Sequence, residues 1–405
     1  MVVRFGCPCV SRLPRYSYSQ RTRSPLTVEK VVGTVFAENL MKDAKVRGVK
    51  AATVYYANTS NYEQSLDVYV PSVPPPPGPP LPLVVLVVGS AWLGHRSAIY
   101  LGTSWWNSAG PMSVARTGAV CVCVRHRGAF PQPPPWYVLV VLLLITWPVL
   151  LPVWPVFLPM WPVFLLVWHL AARGAACHDD MLDDVCTALK WVLANRSALA
   201  QAAPTAAPTD GAAGSGSDFG SSADTLPPLV FGGYSSGAHV ATSLLQRPAL
   251  LAARGLPPPA ELCDGVLLLS GVLGTRLTAP RTSPLAPALS NLILFTAFGV
   301  KAAAALPSPV HDVERSPRLP HLLLGCKHEV FGLPLVEAAF YDVLFCSREV
   351  TRRLQALGVP AELHELPSDH WFMLGSAALH EALAAALRDR RWPLNSKTES
   401  KTGDS

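Results

Sequence analysis

Charged residues are scarce in this sequence. Asp, Glu, Lys and Arg make up only 15% of its 405 residues, whereas apolar residues make up 50%. No patch of basic residues interleaved with aromatic side chains is present, so we expect no nucleic-acid partner. The abundant apolar residues can easily supply a sizeable core. Because 40 residues are proline, long uninterrupted helices should be few.

The nine cysteines do not form the spaced groups that bind metals. The sequence has no CxxC pair and no cluster of Cys and His at zinc spacing, so we expect no structural metal and no cofactor. In the segment AVCVCVRH, Cys121 and Cys123 alternate with valine, a pattern that predicts a buried strand with cysteine as a small apolar residue. This usage favours a reducing compartment.

Acidic residues are absent from the start of the chain. Five arginines precede the first acid, Glu29, which gives the start the character of an organelle transit peptide or of a disordered basic tail. We interpret residues 1–48 as a basic extension that is either a targeting segment or disordered. Residues 49–391 are interpreted as one catalytic domain and residues 392–405 as a polar tail.

Charge is also missing from residues 128–172, which contain the repeat WPVLLPVWPVFLPMWPVFLLVW at 147–168. The stretch is longer than the ~20 apolar residues that a membrane span needs. Residues 136–146 are free of proline, but five prolines follow, and each deletes a helical donor, so a clean transmembrane helix through the repeat is not expected. For the insertion at 132–177, three interpretations stay open: contact of 136–170 with a membrane surface, a repeat expansion or unspliced intron tolerated as a loop, and a spanning or re-entrant segment.

Short apolar runs alternate with helical patterns through the rest of the chain. This alternation predicts an α/β fold with a mostly parallel sheet and helices on both faces, which binds ligands beyond the carboxyl ends of its strands. An antiparallel edge hairpin is predicted from 51–57 and 65–71, and a disordered low-complexity insertion from 203–228. The predicted strands are 81–89, 118–126, 228–233, 265–271, 321–326 and 361–367. The predicted helices are 179–194, 236–246, about 335–357 and about 376–391.

One motif carries chemistry. Gly233-Tyr234-Ser235-Ser236-Gly237 has the G-x-S-x-G pattern and lies between a predicted strand and a predicted helix, the context of a nucleophile elbow. The serine of such an elbow sits on a strained turn where larger side chains two residues either side would collide. Ser235 satisfies this spacing and Ser236 does not, so Ser235 is the predicted nucleophile.

The serine needs a base and an acid that follow it in chain order. His370, just after the last predicted strand, is preferred as the base over His364 and His380. Glu329 is preferred as the acid because it comes soon after the strand ending near Cys326; Asp342 and Asp312 are alternatives, whereas Asp369 cannot easily turn back to its neighbour's ring. The backbone N–H groups of Gly89, Ser90 and Ser236 are the predicted oxyanion donors.

With VGSAWLG, VRHRGAFP, GYSSGAHVA and LPSDHWFML in this order, the chain resembles the α/β-hydrolase superfamily from about Thr53 to Arg391. Within it the chain is similar to the esterase branch that holds prenylcysteine (isoprenylcysteine) methylesterases and kynurenine formamidases. The resemblance implies Ser235 as nucleophile, His370 as base and Glu329 as acid. One departure is Ser90 where relatives have glycine, which implies strain if that position needs a positive φ.

Three functions follow as alternatives. The first is a serine carboxylic ester hydrolase, for which the resemblance implies an isoprenylcysteine α-carboxyl methylesterase working on a lipidated substrate at ER or Golgi membranes. The second is an aryl (kynurenine) formamidase, which needs no membrane and fits a cytoplasmic or organellar site. The third is a non-catalytic hydrolase-fold binding protein. We expect a small-molecule or lipidated ester as the partner.

Overall fold

The computed structural model describes residues 49–57, 59, 61–71, 80–92, 106–129, 176–202, 226–275, 294, 298, 300–328, 343–370 and 372–388. The predicted N-terminal extension, nearly all of the insertion at 132–177, most of the low-complexity insertion and the polar tail lie outside the described residues. Among the residues that are described, no helix is both long and apolar enough to cross a membrane.

One sheet of eight strands forms the frame, in the order β1-β2-β4-β3-β5-β6-β7-β8. The strands are β1 (Val49–Tyr55), β2 (Ser65–Pro71), β3 (Leu83–Val87), β4 (Cys121–Val124), β5 (Leu229–Tyr234), β6 (Gly265–Leu269), β7 (His321–His328) and β8 (Ala361–Asp369). β1 and β2 pair antiparallel, as does β2 with β4, and all remaining pairs are parallel. The predicted edge hairpin and the mostly parallel α/β sheet are both confirmed.

Helices connect the strands. They are α1 (Trp106–Arg116), α2 (His178–Ala194), α3 (Arg196–Gln201), α4 (Ser236–Leu245), α5 (Pro248–Ala253), α6 (Pro259–Leu262), α7 (Val300–Ala304), α8 (Val343–Ala356) and α9 (Ala377–Leu383). Short 3-10 turns lie at Tyr62–Gln64, Val313–Arg315 and Phe372–Gly375, and a π-helical turn, Ala384–Arg388, continues α9. The sequence did not predict α1, and the helix predicted from about 335 is described only from Val343.

The core has one layer on each face of the sheet, which explains why the parallel strands read as continuous apolar runs. Along β3, Leu83, Val85 and Val87 pack into the layer that contains α2, α4 and α8, while Val84 and Leu86 pack into the layer that contains α1 and α9. This two-sided burial is strongest in the central strands β3, β5 and β6, in which every residue is buried. The carboxyl ends of these three strands are where the candidate site is found.

Candidate active site

The turn between β5 and α4 is strained at its serine. Ser235 has φ +53° and ψ −124°, and a positive φ of this size favours glycine over a residue with a side chain. A Cβ added at Gly233 would lie 2.5 Å from the carbonyl carbon of Gly237, and one added at Gly237 would lie 2.2 Å from the backbone oxygen of Val87. Both positions therefore accept only glycine, which is the physical reason for the G-x-S-x-G spacing.

The structure brings Ser235 and His370 together. His370 Nε2 lies 2.9 Å from Ser235 Oγ, and the histidine directly follows β8, so two strand ends supply the pair. The imidazole is completely buried and lies 5.1 Å from the ring of Tyr234, whose hydroxyl donates to the backbone oxygen of His370 at 2.6 Å. The residue before the serine thus also holds the histidine's backbone. The catalytic role of the pair stays a prediction.

Burial decides the charge of this histidine. Removal from water disfavours the imidazolium and lowers the pKa of His370 to about 3. The neutral ring has one nitrogen with a lone pair and one with a hydrogen. With the lone pair on Nε2, it can accept the proton of Ser235 Oγ, which is what a general base must do.

A second hydroxyl, which no sequence motif predicted, contacts the other ring nitrogen. Ser270 Oγ lies 2.8 Å from His370 Nδ1. Ser270 comes directly after β6, is completely buried, and has φ +40°. A serine at the end of a strand matches no catalytic motif, so only the contact itself identifies it.

The predicted acid, Glu329, lies outside the described residues, as does Asp342. Asp312 is described, but it pairs with Arg315 at 3.7 Å and lines a cavity with Ser243 and Gln246, at the end of α4 remote from Ser235. At 1.5 Å per residue, Ser243 lies about 12 Å along the helix from the nucleophile, so Asp312 is not placed to orient His370.

The remaining predicted competitors have other partners. Asp369 Oδ1 accepts the N–H of Phe372 at 2.9 Å, so this carboxylate caps the turn that follows β8. His364 is half exposed beside Glu362 on β8, and His380 lies on α9, 3.4 Å from the backbone oxygen of Ser113. Of the three candidate histidines, only His370 contacts Ser235.

The predicted oxyanion loop follows β3 and packs against the nucleophile turn. A Cβ at Gly89 would lie 2.8 Å from Ser235 Cβ and 2.7 Å from the Tyr234 backbone oxygen, so only glycine allows this approach. Positive φ values occur at Ala91 (+49°) and Trp92 (+61°), but not at Ser90, so the condition under which Ser90 would be strained is not met. The strained backbone of this loop lies at Ala91 and Trp92 instead.

The hydroxyl of Ser236 fixes this loop. It accepts the N–H of Ser90 at 3.0 Å and the N–H of Trp92 at 3.1 Å. The N–H of Ser90 is therefore engaged by Ser236 in this structure. The N–H of Ser236 itself belongs to the first turn of α4, where backbone donors have no partner within the helix. Gly89 and Ser236 stay predicted oxyanion donors, whereas the Ser90 N–H is bonded to Ser236 Oγ.

We expect Ser236→Ala to lower the free energy of unfolding by about 1–3 kcal/mol, because two buried N–H groups lose their acceptor. Urea denaturation measures this. The control is Ser243→Ala on the same helix: Ser243 is also buried, but its hydroxyl has no hydrogen-bond partner in the described part of the chain. Equal losses in the two variants would contradict the loop-fixing role.

Trp92 ties the loop to a buried histidine. Its indole N–H donates to His239 Nδ1 at 3.2 Å, and His239 Nε2 lies 2.9 Å from the backbone oxygen of Pro307. Because Nδ1 accepts, Nε2 carries the hydrogen and the ring is neutral. Burial lowers the pKa of His239 to about 4 and does the same for His321 at the start of β7.

These buried histidines predict acid instability. The unfolded chain takes up a proton at each of them as the pH falls below about 6.5. The folded chain does so only near pH 4 at His239 and His321 and near pH 3 at His370, so stability is lost as the pH falls through this window. At pH 5 the loss is about 2 kcal/mol each for His239, His321 and His370.

Urea denaturation at pH 7.5 and pH 5 checks this expectation. His321→Gln should reduce the pH dependence by about one proton, and the exposed His364→Gln should leave it unchanged. Stability that is the same at the two pH values in the unsubstituted protein would show the prediction to be wrong.

Within the described ranges, no group of three or more His, Cys, Asp and Glu side chains is arranged to hold a metal ion.

Comparison with known proteins identifies the fold. No family model matches the sequence, and no curated protein matches it. Among solved structures, esterase B from Lactobacillus rhamnosis is similar with a TM-score of 0.51 and 14% identity, over 89% of this chain and 95% of that chain. A tributyrin phosphonate-inhibited structure of that esterase has a TM-score of 0.51 and 13% identity, over 91% of this chain and 97% of the other. The chain has the α/β-hydrolase fold. The predicted fold class is confirmed; at such low identity the likeness extends no further than the fold.

Proposed function

We propose that the protein is a serine carboxylic ester hydrolase. The observation that carries the proposal is the 2.9 Å contact between Ser235 Oγ and His370 Nε2 at the carboxyl ends of β5 and β8. A serine hydroxyl becomes a nucleophile when an adjacent base takes its proton, and a buried neutral imidazole is such a base. The structural neighbours are esterases, which supports this function.

The reaction runs in two stages. Ser235 Oγ bonds to the ester carbonyl carbon while its proton moves to His370 Nε2; the proton then passes to the leaving alkoxide as the C–O bond breaks, which leaves an acyl-Ser235. Water attacks this acyl group, gives a proton to His370, and the acid departs as the proton returns to Ser235. The N–H groups of Gly89 and Ser236 stabilise the oxyanion in both stages, and Ser90 joins them if its bond to Ser236 Oγ is exchanged.

Glu329 is the proposed acid of the triad. It is the residue directly after β7, which ends at His328 and is the neighbour of β8 in the sheet. A carboxylate at that strand end could reach the ring of a histidine that follows β8, and it would stabilise the imidazolium that forms during the reaction.

For the substrate class, we propose an isoprenylcysteine α-carboxyl methyl ester, with the family resemblance of the sequence motifs as support. The uncharged stretch 136–170 would then contact the membrane surface in which the lipidated substrate is anchored, and the protein would work at the ER or Golgi. A kynurenine formamidase would use the same serine and histidine on a soluble formyl amide.

The first experiment follows p-nitrophenyl acetate and butyrate in a stopped-flow instrument and acyl-protein by mass spectrometry. We expect a burst of one p-nitrophenol per protein and an acyl group on the peptide that contains Ser235. A protein that releases no p-nitrophenol and is not acylated would overturn the enzyme proposal in favour of a binding protein.

The second experiment compares farnesylcysteine methyl ester with N-formylkynurenine, each with and without detergent micelles. Turnover of the methyl ester, increased by micelles, is the expected result. Turnover of N-formylkynurenine alone would replace the methylesterase proposal with the formamidase, and both results leave the serine mechanism in place.

A further inference from the structure

We propose that Ser270 is a positioning residue that accepts the Nδ1–H of His370 and holds the ring with Nε2 directed at Ser235. The contact that carries this inference is the 2.8 Å between Ser270 Oγ and His370 Nδ1. Together with the 2.9 Å between Nε2 and Ser235 Oγ, it places the imidazole between two hydroxyls. The inference rests on the proposed function and adds a residue to its machinery.

The backbone around Ser270 is bonded to the nucleophile itself. The N–H of Ser235 donates to the oxygen of Leu269 at 3.0 Å, and the N–H of Val272 donates to the oxygen of Ser235 at 3.1 Å. Ser270 lies between those two residues, and its own N–H donates to Leu324 of β7 at 2.7 Å. The positions of the two serines are thus set by one hydrogen-bonded edge of the sheet.

The conformation of Ser270 is costly for a serine. Its φ of +40° lies in the region that favours glycine, and a residue with a side chain there is strained by about 1–3 kcal/mol. Glycine stands next to it, at Gly271, so the chain uses glycine nearby without using it here. Such strain is typical of residues whose side chains are needed for function. The only polar atom of the Ser270 side chain is its hydroxyl oxygen, and this atom contacts His370.

The direction of the hydrogen bonds follows from the chemistry of a neutral ring. Nε2 can take the proton of Ser235 only if it has the lone pair, so the ring hydrogen must be on Nδ1. Ser270 Oγ lies at Nδ1 and is then an acceptor of this hydrogen, alongside the carboxylate of the proposed acid, Glu329. If Ser270 Oγ is lost, the buried Nδ1–H loses a hydrogen-bond acceptor, and the tautomer with the hydrogen on Nε2, which cannot act as a base, gains population.

Two variants separate the hydroxyl from the backbone. Ser270→Ala and Ser270→Gly both remove the acceptor, but only glycine removes the strain. We expect kcat for p-nitrophenyl butyrate to fall about 10- to 100-fold in both, with KM unchanged, which is part of the ~10²–10⁴ that a positioned base contributes. Ser243→Ala, a buried serine remote from the site, should keep the kcat of the unsubstituted protein.

The second readout is the tautomer of His370, from NMR of protein labelled with ¹⁵N-histidine, with His370→Gln to assign the signals. We expect Nδ1–H in the unsubstituted protein and a mixture of tautomers in both Ser270 variants. Nε2–H in the unsubstituted protein would overturn the inference, as would Ser270 variants with unchanged tautomer and kcat, or a Gly variant that keeps full kcat where Ala does not.

The two readouts distinguish the failure of this inference from that of the proposed function. A tautomer that depends on Ser270 in a protein without esterase activity would support the positioning contact and overturn the hydrolase proposal. Ester hydrolysis that is lost in Ser235→Ala but unchanged in the Ser270 variants would support the hydrolase proposal and overturn the positioning role of Ser270.

Discussion

Ser235→Ala should lower kcat/KM for p-nitrophenyl butyrate by a factor of about 10⁴ or more, since loss of the nucleophile of a serine hydrolase costs up to ~10⁶. The reason is that Ser235 Oγ is the hydroxyl that contacts His370 Nε2. Of the two neighbouring serines in the described part of the chain, Ser236 Oγ accepts the two loop N–H groups and Ser270 Oγ lies at Nδ1. The acyl group on the Ser235 peptide should disappear with the activity.

The folding of this variant should be unimpaired, because alanine keeps the Cβ of Ser235 and removes only the hydroxyl. Ser347→Ala is the matched control: Ser347 is equally buried, and its hydroxyl donates to the Val343 oxygen within α8, outside the site. Hydrolysis that persists in Ser235→Ala and is unchanged by Ser347→Ala would show that another group carries out the reaction.

Most strands could be predicted because two-sided burial gives a distinct pattern. β3, β5 and β6 are continuous apolar runs bounded by glycine and proline, and the structure places them within a few residues of the predicted ends. The differences arise at strand ends. Val88 lies just beyond β3, but it is as apolar as the strand, and its N–H still donates to the backbone oxygen of Val124. Composition alone does not tell where a ladder stops.

The helix α1 could not be predicted from its sequence. It contains Gly110 and Pro111, both of which disfavour a helix interior, and it packs its Val114 and Ala115 against the sheet layer that also holds α9. Tertiary packing therefore stabilises a helix that local propensity disfavours. In sequence, the few apolar residues of α1 are interrupted by glycine and proline, a pattern that is typical of a loop.

The site could be predicted in part. Parallel strands end at one edge of a sheet, so residues that follow β5 and β8 in sequence were expected to meet, and Ser235 and His370 do. The roles of the Ser236 and Ser270 hydroxyls could not be predicted, because each depends on a distance between segments that lie far apart in sequence. The Ser236 hydroxyl meets the loop after β3, and Ser270 meets His370 across 100 residues.

His370→Gln should also lower kcat/KM by about 10⁴-fold or more, because glutamine fills much of the buried space but cannot take up the proton of Ser235. The two candidate histidines that the sequence left as competitors are the controls. His364→Gln on the exposed edge of β8 and His380→Gln on α9 should retain the activity of the unsubstituted protein.

The combination of Ser235→Ala with His370→Gln separates a catalytic pair from two independent residues. Groups that act as one unit lose their contribution only once, so the double variant should be about as slow as either single variant. Independent roles would instead multiply the two losses. A double variant slower than both by a further factor of about 10⁴ would therefore mean that Ser235 and His370 contribute separately, and that their 2.9 Å contact is not the step at which the proton moves.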